Sequence, residues 1–375
     1  MDKVTAEGTV VDGGSTGVIN WLVSNVGRLL ISLIVPLIAF FVMWRGFIFL
    51  RDSQAPKALI VGVAVVWGVG GVALLFVLTN WMVERLPQAW TARLRPYVFV
   101  GPAVAVLAWY LALPALRSLY LSFYNANSTE FIGLDNYVFA FTNPEMLISF
   151  RNNFLWLVVG TGFCVIFGLV IAVMADRTRL EVVYKALIFL PMAISFVGAS
   201  VIWRFVYAFM PAGQDQIGLL NAIWTTLGGE PLAWLTLRPW NNLALIAILI
   251  WLQTGFAMVL LSAAVKGVPR ELLEAARIDG ANEIQVFLRV IVPYIRGTII
   301  TVTTTIVIIT LKIFDIVFVM TNGNFGTEVI ASRMYKEMFR FRDFGRGSTI
   351  AIILLIAVIP VMWYNLSRFR EEETF

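Results

Sequence analysis

Residues 242–265 read NLALIAILIWLQTGFAMVLLSAAV, without one Asp, Glu, Lys or Arg, and run directly into the polar sequence KGVPRELLEAARIDGA at 266–281. A helix crossing roughly 30 Å of hydrocarbon needs about 20 mostly apolar residues at about 1.5 Å each, so this stretch spells a membrane span. Similar runs lie near 29–50, 57–80, 97–121, 153–175, 185–207, 298–320 and 347–366. None shows the period-two alternation or the roughly ten-residue length of a barrel strand, and only helices then satisfy the backbone in lipid. The expected fold is an all-α polytopic transmembrane helical bundle of about eight spanning helices. Composition agrees: 59% hydrophobic and 14% charged residues, with a mean hydropathy of +0.84, suit no soluble domain of this length.

The same composition narrows the chemistry. There is no histidine, and the single cysteine, Cys164, sits inside an apolar run, so zinc, haem and triad chemistry lose their usual residues and no metal site is expected. Cys164 reads as packing. The N-terminal stretch, with Asp2, Glu7, Asp12, Gly13 and Gly14, lacks the basic start and cleavage site of a signal peptide, so the first span is expected to be retained. A net charge of +5 reflects Lys and Arg in short loops, and no nucleic-acid partner is expected.

Those cations set the orientation. Lys266, Arg270, Arg277, Arg289 and Arg296 in one loop, Arg177 and Arg179 in another, and Arg85, Arg93 and Arg95 in a third place these loops in the cytoplasm. Both termini then lie inside, consistent with Arg368 and Arg370. Two groups oppose this: Arg45, Arg51 and Lys57, and Arg333, Lys336, Arg340, Arg342 and Arg346. The second group is accompanied by Glu328, Glu337 and Asp343. Outer segments at 122–152 and 208–241 read as ordered surface, and Val329, Met334, Met338 and Phe341 predict a short interfacial helix over 328–341. The chain thus divides into a polar tail and extra hairpin (1–96), a core (97–366) containing the cytoplasmic loop 266–297, and a C-terminal tail (367–375). In the second span, Gly68, Gly70 and Gly71 form a small-residue stripe suited to close packing, with the third span as the expected neighbour.

Within the cytoplasmic loop, Pro269 suits a first helical turn, Glu271 and Glu274 its positive end, and Gly280 the left-handed position that stops it. The expected element is a helix of two to three turns. Leu272, Leu273, Ala275, Ala276 and Ile278 make it more apolar than a solvated linker needs, and the two alanines leave one face slim enough for a partner's cleft. The plainer alternative is an amphipathic linker on the bilayer surface. After the turn at Asp279 and Gly280, the residues Ile284, Phe287, Val290 and Ile291 run at helical spacing to Pro293.

The run Glu274-Ala275-Ala276 with Gly280, closing on Val290-Ile291-Val292-Pro293, resembles the EAA loop of ATP-binding-cassette (ABC) importer permeases, with Val where the family carries Ile and Leu. Further likeness lies in Gly133-Leu134-Asp135-Asn136-Tyr137, Asn152-Asn153, Phe189-Leu190-Pro191, Phe314-Asp315 and Thr321-Asn322-Gly323. Together these are similar to the first permease subunit of the maltose-type sugar importers, over roughly 96–366. The resemblance implies a six-helix permease core in a bacterial cytoplasmic membrane, a second permease subunit, two cytoplasmic ATPase subunits that carry ATP and Mg, and a periplasmic sugar-binding protein. It further implies that Glu274, Ala275, Ala276, Asp279, Gly280 and Ala281 form a coupling helix for an ATPase, driving alternating access. The chain itself has no phosphate loop, since no lysine follows a glycine. The resemblance thus implies a transport subunit that binds no cofactor and performs no catalysis.

Polar residues in a span should face a cavity or another helix. Trp251, Gln253, Thr254 and Phe256 before the loop, and Thr310, Lys312 and Asp315 after it, could meet a sugar's hydroxyls and C–H faces. In the resembled family the sugar contacts come from these two helices, which implies Gln253, Phe256 and Thr310 as liners; Trp251 and Asp315 join them as candidates from their residue types, whereas Leu249 and Ile313 stand where polar contacts can occur in the family. Lys312 and Asp315, spaced i to i+3, could equally pair with each other, and Thr303, Thr304 and Thr305 read as bonding back to their own helix. The rival readings are an ion-coupled carrier or channel using Lys312, Asp315 or Asp176, and a membrane-embedded enzyme, for which no catalytic cluster is present.

Overall fold

The computed structural model describes residues 34, 37–84, 88–176 and 178–372. The polar tail, the start of the first expected span, Arg85, Arg177 and residues 373–375 lie outside these. The described chain is helical, apart from one isolated bridge between Tyr124 and Phe131. The chain divides into two compact units, Met1–Pro114 and Ala115–Phe375.

The first unit holds α1 (37–52) and α2 (Lys57–Glu84), and most of α3 (Arg95–Leu121). The division falls within α3, whose Phe99 packs edge-on against Phe76 of α2 with 5.2 Å between ring centroids. The glycine stripe behaves differently from expectation. A Cβ on Gly71 would strike Met43 of α1, while Gly68 and Gly70 have nothing within 4 Å. The close contact is therefore with the first helix, and Trp67 reinforces it by donating to the Met43 carbonyl at 3.1 Å.

In the second unit the elements are α4 (Asp135–Thr142), α5 (Pro144–Ala175), α6 (Glu181–Ala193), α7 (Phe196–Val206), α8 (Leu219–Thr226), α9 (Trp240–Lys266), α10 (Arg270–Ile278), α11 (Glu283–Tyr294), α12 (Arg296–Leu311), α13 (Asp315–Met320), α14 (Ile330–Tyr335) and α15 (Phe344–Glu372). The opening stretch becomes α9, the central helix: Leu245, Ile246, Ile248, Leu249, Leu252, Met258 and Leu261 are fully sheltered. Two glycines permit this crowding. A Cβ at Gly168 of α5 would lie 2.5 Å from that of Ala257, and one at Gly255 would lie 2.5 Å from the Ile188 carbonyl of α6. Small residues where helices cross let backbones approach and gain dispersion contact that lipid cannot offer.

Among the described residues five helices, α2, α3, α5, α9 and α15, are long and apolar enough to cross a membrane, and two bent pairs bring the number to as many as seven. Two expected straight spans are broken. The span at 185–207 is α6 and α7, bent by 103°. Pro191 lies in a closing 3₁₀ turn, Ile194 is extended, and Ser195 caps α7 by accepting from the Gly198 N–H at 3.0 Å. The span at 298–320 is also interrupted: α12 stops at Leu311 and α13 restarts at Asp315, while α11 meets α12 at 73°. A buried helix end must find partners for its free carbonyls. Asn153, from the middle of α5, supplies one by donating to the Leu311 carbonyl at 3.0 Å.

Candidate functional site

The loop after α9 forms as its residues direct. Pro269 precedes α10, Gly280 takes φ +85° just beyond it, and the Asn282 and Gln285 side chains each bond the other's backbone N–H at 2.9 Å to start α11. The helix has two distinct faces. Leu273 and Ala276, followed by Ala281, pack inward on the cluster around Leu261, Val268, Val286 and Ile291. Glu274, Ala275, Ile278, Asp279 and Gly280 are exposed, Ile278 by 85%. Two exposed small residues and one bare isoleucine beside acidic groups present a slim surface away from the bundle. Of the six expected coupling residues, four lie on that surface and Ala276 and Ala281 anchor it from behind.

A charged clasp that sequence reasoning missed ties this region to the neighbouring helices. Lys185 of α6 pairs with Asp176 and with Glu181 at 2.5 Å, Glu181 also takes Lys266 at 2.5 Å, and Ser262 donates to Asp176 at 2.8 Å. It joins the end of α5, the start of α6 and the last turn of α9 immediately before α10. The i to i+4 spacing of Glu181 and Lys185 was a visible signal; the link to Ser262 and Lys266 was not.

The expected substrate residues lie on helices that pack together, α9 against α12 and α13. Trp251 meets Trp203 edge-on at 5.8 Å, and Phe256 is half-buried against the core. The Thr310 hydroxyl is buried and donates to the Ile306 carbonyl at 2.8 Å. Gln253 is buried, and its Oε1 has no hydrogen-bond partner. Asp315 is half-buried at the start of α13, whereas Lys312 is exposed at the end of α12, and the two form no ion pair. The helix break between them separates residues that a continuous helix would have stacked. Thr303, Thr304 and Thr305 bond back to Ile299 and Thr301. Leu249 and Ile313 are core residues.

At the opposite end of the bundle, the expected helix over 328–341 buries most of its charges along with Val329 and leaves Arg340 exposed. Its charged residues Glu328, Arg333, Lys336 and Glu337 are buried, and its Phe339 and Phe341 are exposed. Arg333 donates to Glu337 at 2.9 and 2.6 Å and pairs with Glu145, while Glu328 holds Lys336 and Ser332. Burial pushes the Glu328 carboxyl above the usual carboxylate range, against the pull of Lys336. Arg346 pairs with Asp343 at 3.3 Å. Several of the cations that opposed the orientation are thus internally neutralised and are not free loop charges. Asn152 and Asn153 hold the segment in place: Asn152 donates to the Gly326 and Glu328 carbonyls, both at 2.8 Å, and the Ile330 N–H donates to Asn153 at 2.8 Å.

A bundle of spans with a helical loop reaching past its end has a counterpart among known proteins. Residues 164–367 match the family described as the binding-protein-dependent transport system inner membrane component. The chain belongs to that family. A relative in Synechocystis sp., the osmoprotective compounds uptake permease protein GgtC, is 62% identical over 74% of this chain and 99% of its own length. The alpha-glucoside transport system permease protein AglF of Rhizobium meliloti is 51% identical over 74% of this chain and 83% of its own length. A solved bacterial ABC transporter involved in import of alginate shares the fold, with a TM-score of 0.64 at 19% identity over 76% of this chain and 99% of the other. As a member of this family, the chain is a multi-pass inner-membrane transport permease.

Proposed function

We propose that this chain is the first permease subunit of an ATP-driven importer that takes up a small sugar, an α-glucoside or a related polyhydroxylated solute. The observation that carries this reading is the exposed, slim face of α10 on a chain closely similar to permeases named for osmoprotective compounds and alpha-glucosides. Glu274, Ala275, Asp279 and Gly280 seat in a cleft of a cytoplasmic ATPase, and Ala276 and Ala281 carry the motion into the bundle. ATP and Mg are held by two such ATPase subunits. A second permease completes the pathway, and a periplasmic binding protein delivers the sugar to the end bearing 328–341. Both termini are cytoplasmic, and the chain itself performs no catalysis.

The sugar meets Trp251, Gln253, Phe256, Thr310 and Asp315. The buried Gln253 Oε1 supports this, since an acceptor left unpaired costs about 1–3 kcal/mol and a sugar hydroxyl would satisfy it. Uptake into sealed vesicles holding the assembled transporter tests the proposal. It should require ATP and ignore a collapsed ion gradient, and Glu274→Lys or Gly280→Val should abolish it with membrane insertion intact. Uptake driven by an ion gradient alone, or unchanged in both variants, rejects it. Gln253→Leu should lower substrate-stimulated ATP hydrolysis more than basal hydrolysis; an equal fall in both removes Gln253 from the sugar site.

A further inference from the structure

A cleft of about 500 Å³ opens beside the 323–328 turn, at the end of the bundle away from α10. Its floor is one stripe of α5: Arg151, Phe154, Leu155 and Val158 follow at i, i+3, i+4 and i+7, so they stack along one helix face. Phe154 and Val158 are 68% and 57% exposed, which places bare apolar surface along a span. Its upper wall is Arg238, just before α9, and Asn242 in the first turn of α9, next to the exposed Trp240. An interfacial aromatic and two arginines where the helix ends, above an apolar trough, match the level at which phospholipid heads give way to acyl chains.

The charges decide what sits there. Arg151 donates to the Asn152 side chain at 3.1 Å and Arg238 to the Phe325 carbonyl at 2.7 Å, yet neither forms an ion pair with a carboxylate among the described residues. A guanidinium has five N–H donors, so each keeps several for an anion and can grip a phosphate in bidentate fashion. Asn242 is buried at the cleft and its Oδ1 has no partner, offering an acceptor for a hydroxyl. A soluble anion would leave the Phe154–Val158 trough uncovered, and a neutral lipid would leave two cations unmatched.

We propose that this cleft is a site for an anionic phospholipid with a hydroxylated head, of the phosphatidylglycerol type. The phosphate lies between Arg151 and Arg238, a head hydroxyl donates to Asn242, and an acyl chain runs down Phe154, Leu155 and Val158.

The test uses the assembled transporter in nanodiscs containing phosphatidylglycerol or phosphatidylcholine with a photoactivatable acyl chain, followed by mapping of the labelled peptide. Phosphatidylglycerol should label the peptide spanning 148–159 well above phosphatidylcholine. Arg151→Gln should reduce that labelling about fivefold, and adding Arg238→Gln should reduce it about fivefold again, the effect of one cation near a charged bilayer surface. Arg151→Lys, which keeps the charge but not the two-pronged grip, should fall between the parent and Arg151→Gln. Equal labelling by the two lipids, insensitivity to Arg151→Gln, a loss as large in Arg151→Lys, or cross-linking of this peptide to another polypeptide in place of lipid would each overturn the proposal.

Discussion

The two ends of the bundle solve opposite problems. The 266–291 loop is assembled by neighbours in sequence: Gly280 stops α10, and Asn282 and Gln285 start α11. Its internal ion pair, Arg277 with Glu283 at 2.9 Å, is exposed, and only Lys266 at its start reaches out, to Glu181. The 321–346 segment is held from afar, by Asn152 and Asn153 of α5 and by Glu145 of α5 on Arg333, around its own buried pairs of Glu328 with Lys336 and Arg333 with Glu337. A locally built element can present its outer face to a partner without losing shape. A segment held by distant side chains is fixed only when the whole bundle is in place, so a shift of α5 against α12 and α14 would reach it directly. That suits the delivery role proposed for this end, which calls for a surface that reports the state of the membrane helices.

Substitutions at the two ends should therefore differ in size. The largest effect is expected from Lys336→Met, which leaves Glu328 buried without its cation and should cost about 3–5 kcal/mol of stability in denaturant unfolding of the detergent-solubilised protein. Combining it with Glu328→Leu should restore most of that loss; a double variant as unstable as the single one would mean that the pair contributes more than mutual neutralisation. Asn153→Leu removes the partners of the Leu311 carbonyl and the Ile330 N–H and should cost about 2–4 kcal/mol by the same measurement. A negligible change would show that α12 ends where it does for another reason.

At the other end, Gly280→Val forces a β-branched residue to φ +85° with no steric neighbour to blame, and should cost about 1–2 kcal/mol while abolishing uptake. Gly280→Asn, which tolerates the left-handed region, should recover much of both. The smallest change is expected for Arg277→Gln, at most about 0.5 kcal/mol because the pair is screened by water. A loss there comparable with that of Lys336→Met would erase the contrast between the ends.

Legibility in the sequence followed the same division. The polar run after 265 disclosed α10, its glycine stop and its exposed residues, because each depends on spacing within a few positions. Gln253 and Asp315 could be named as polar residues in apolar stretches, but the separation of Asp315 from Lys312 could not, since the interruption of that span depends on an asparagine far back in α5. The buried charges of the helix at 328–341 were missed for a related reason. Its apolar and charged residues alternate at helical spacing either way, and which face is buried depends on the carboxylates that meet Arg333 and Lys336.

Sequence alone determined that the chain spans a membrane as helices, because hydrocarbon thickness and backbone hydrogen bonding leave no other solution for such apolar runs. Only the tertiary structure decided where spans break and which charges are sheltered. Capping a buried helix end or neutralising a buried cation requires a partner close in space, and in this protein that partner is Asn153 for the Leu311 carbonyl and Glu145 for Arg333.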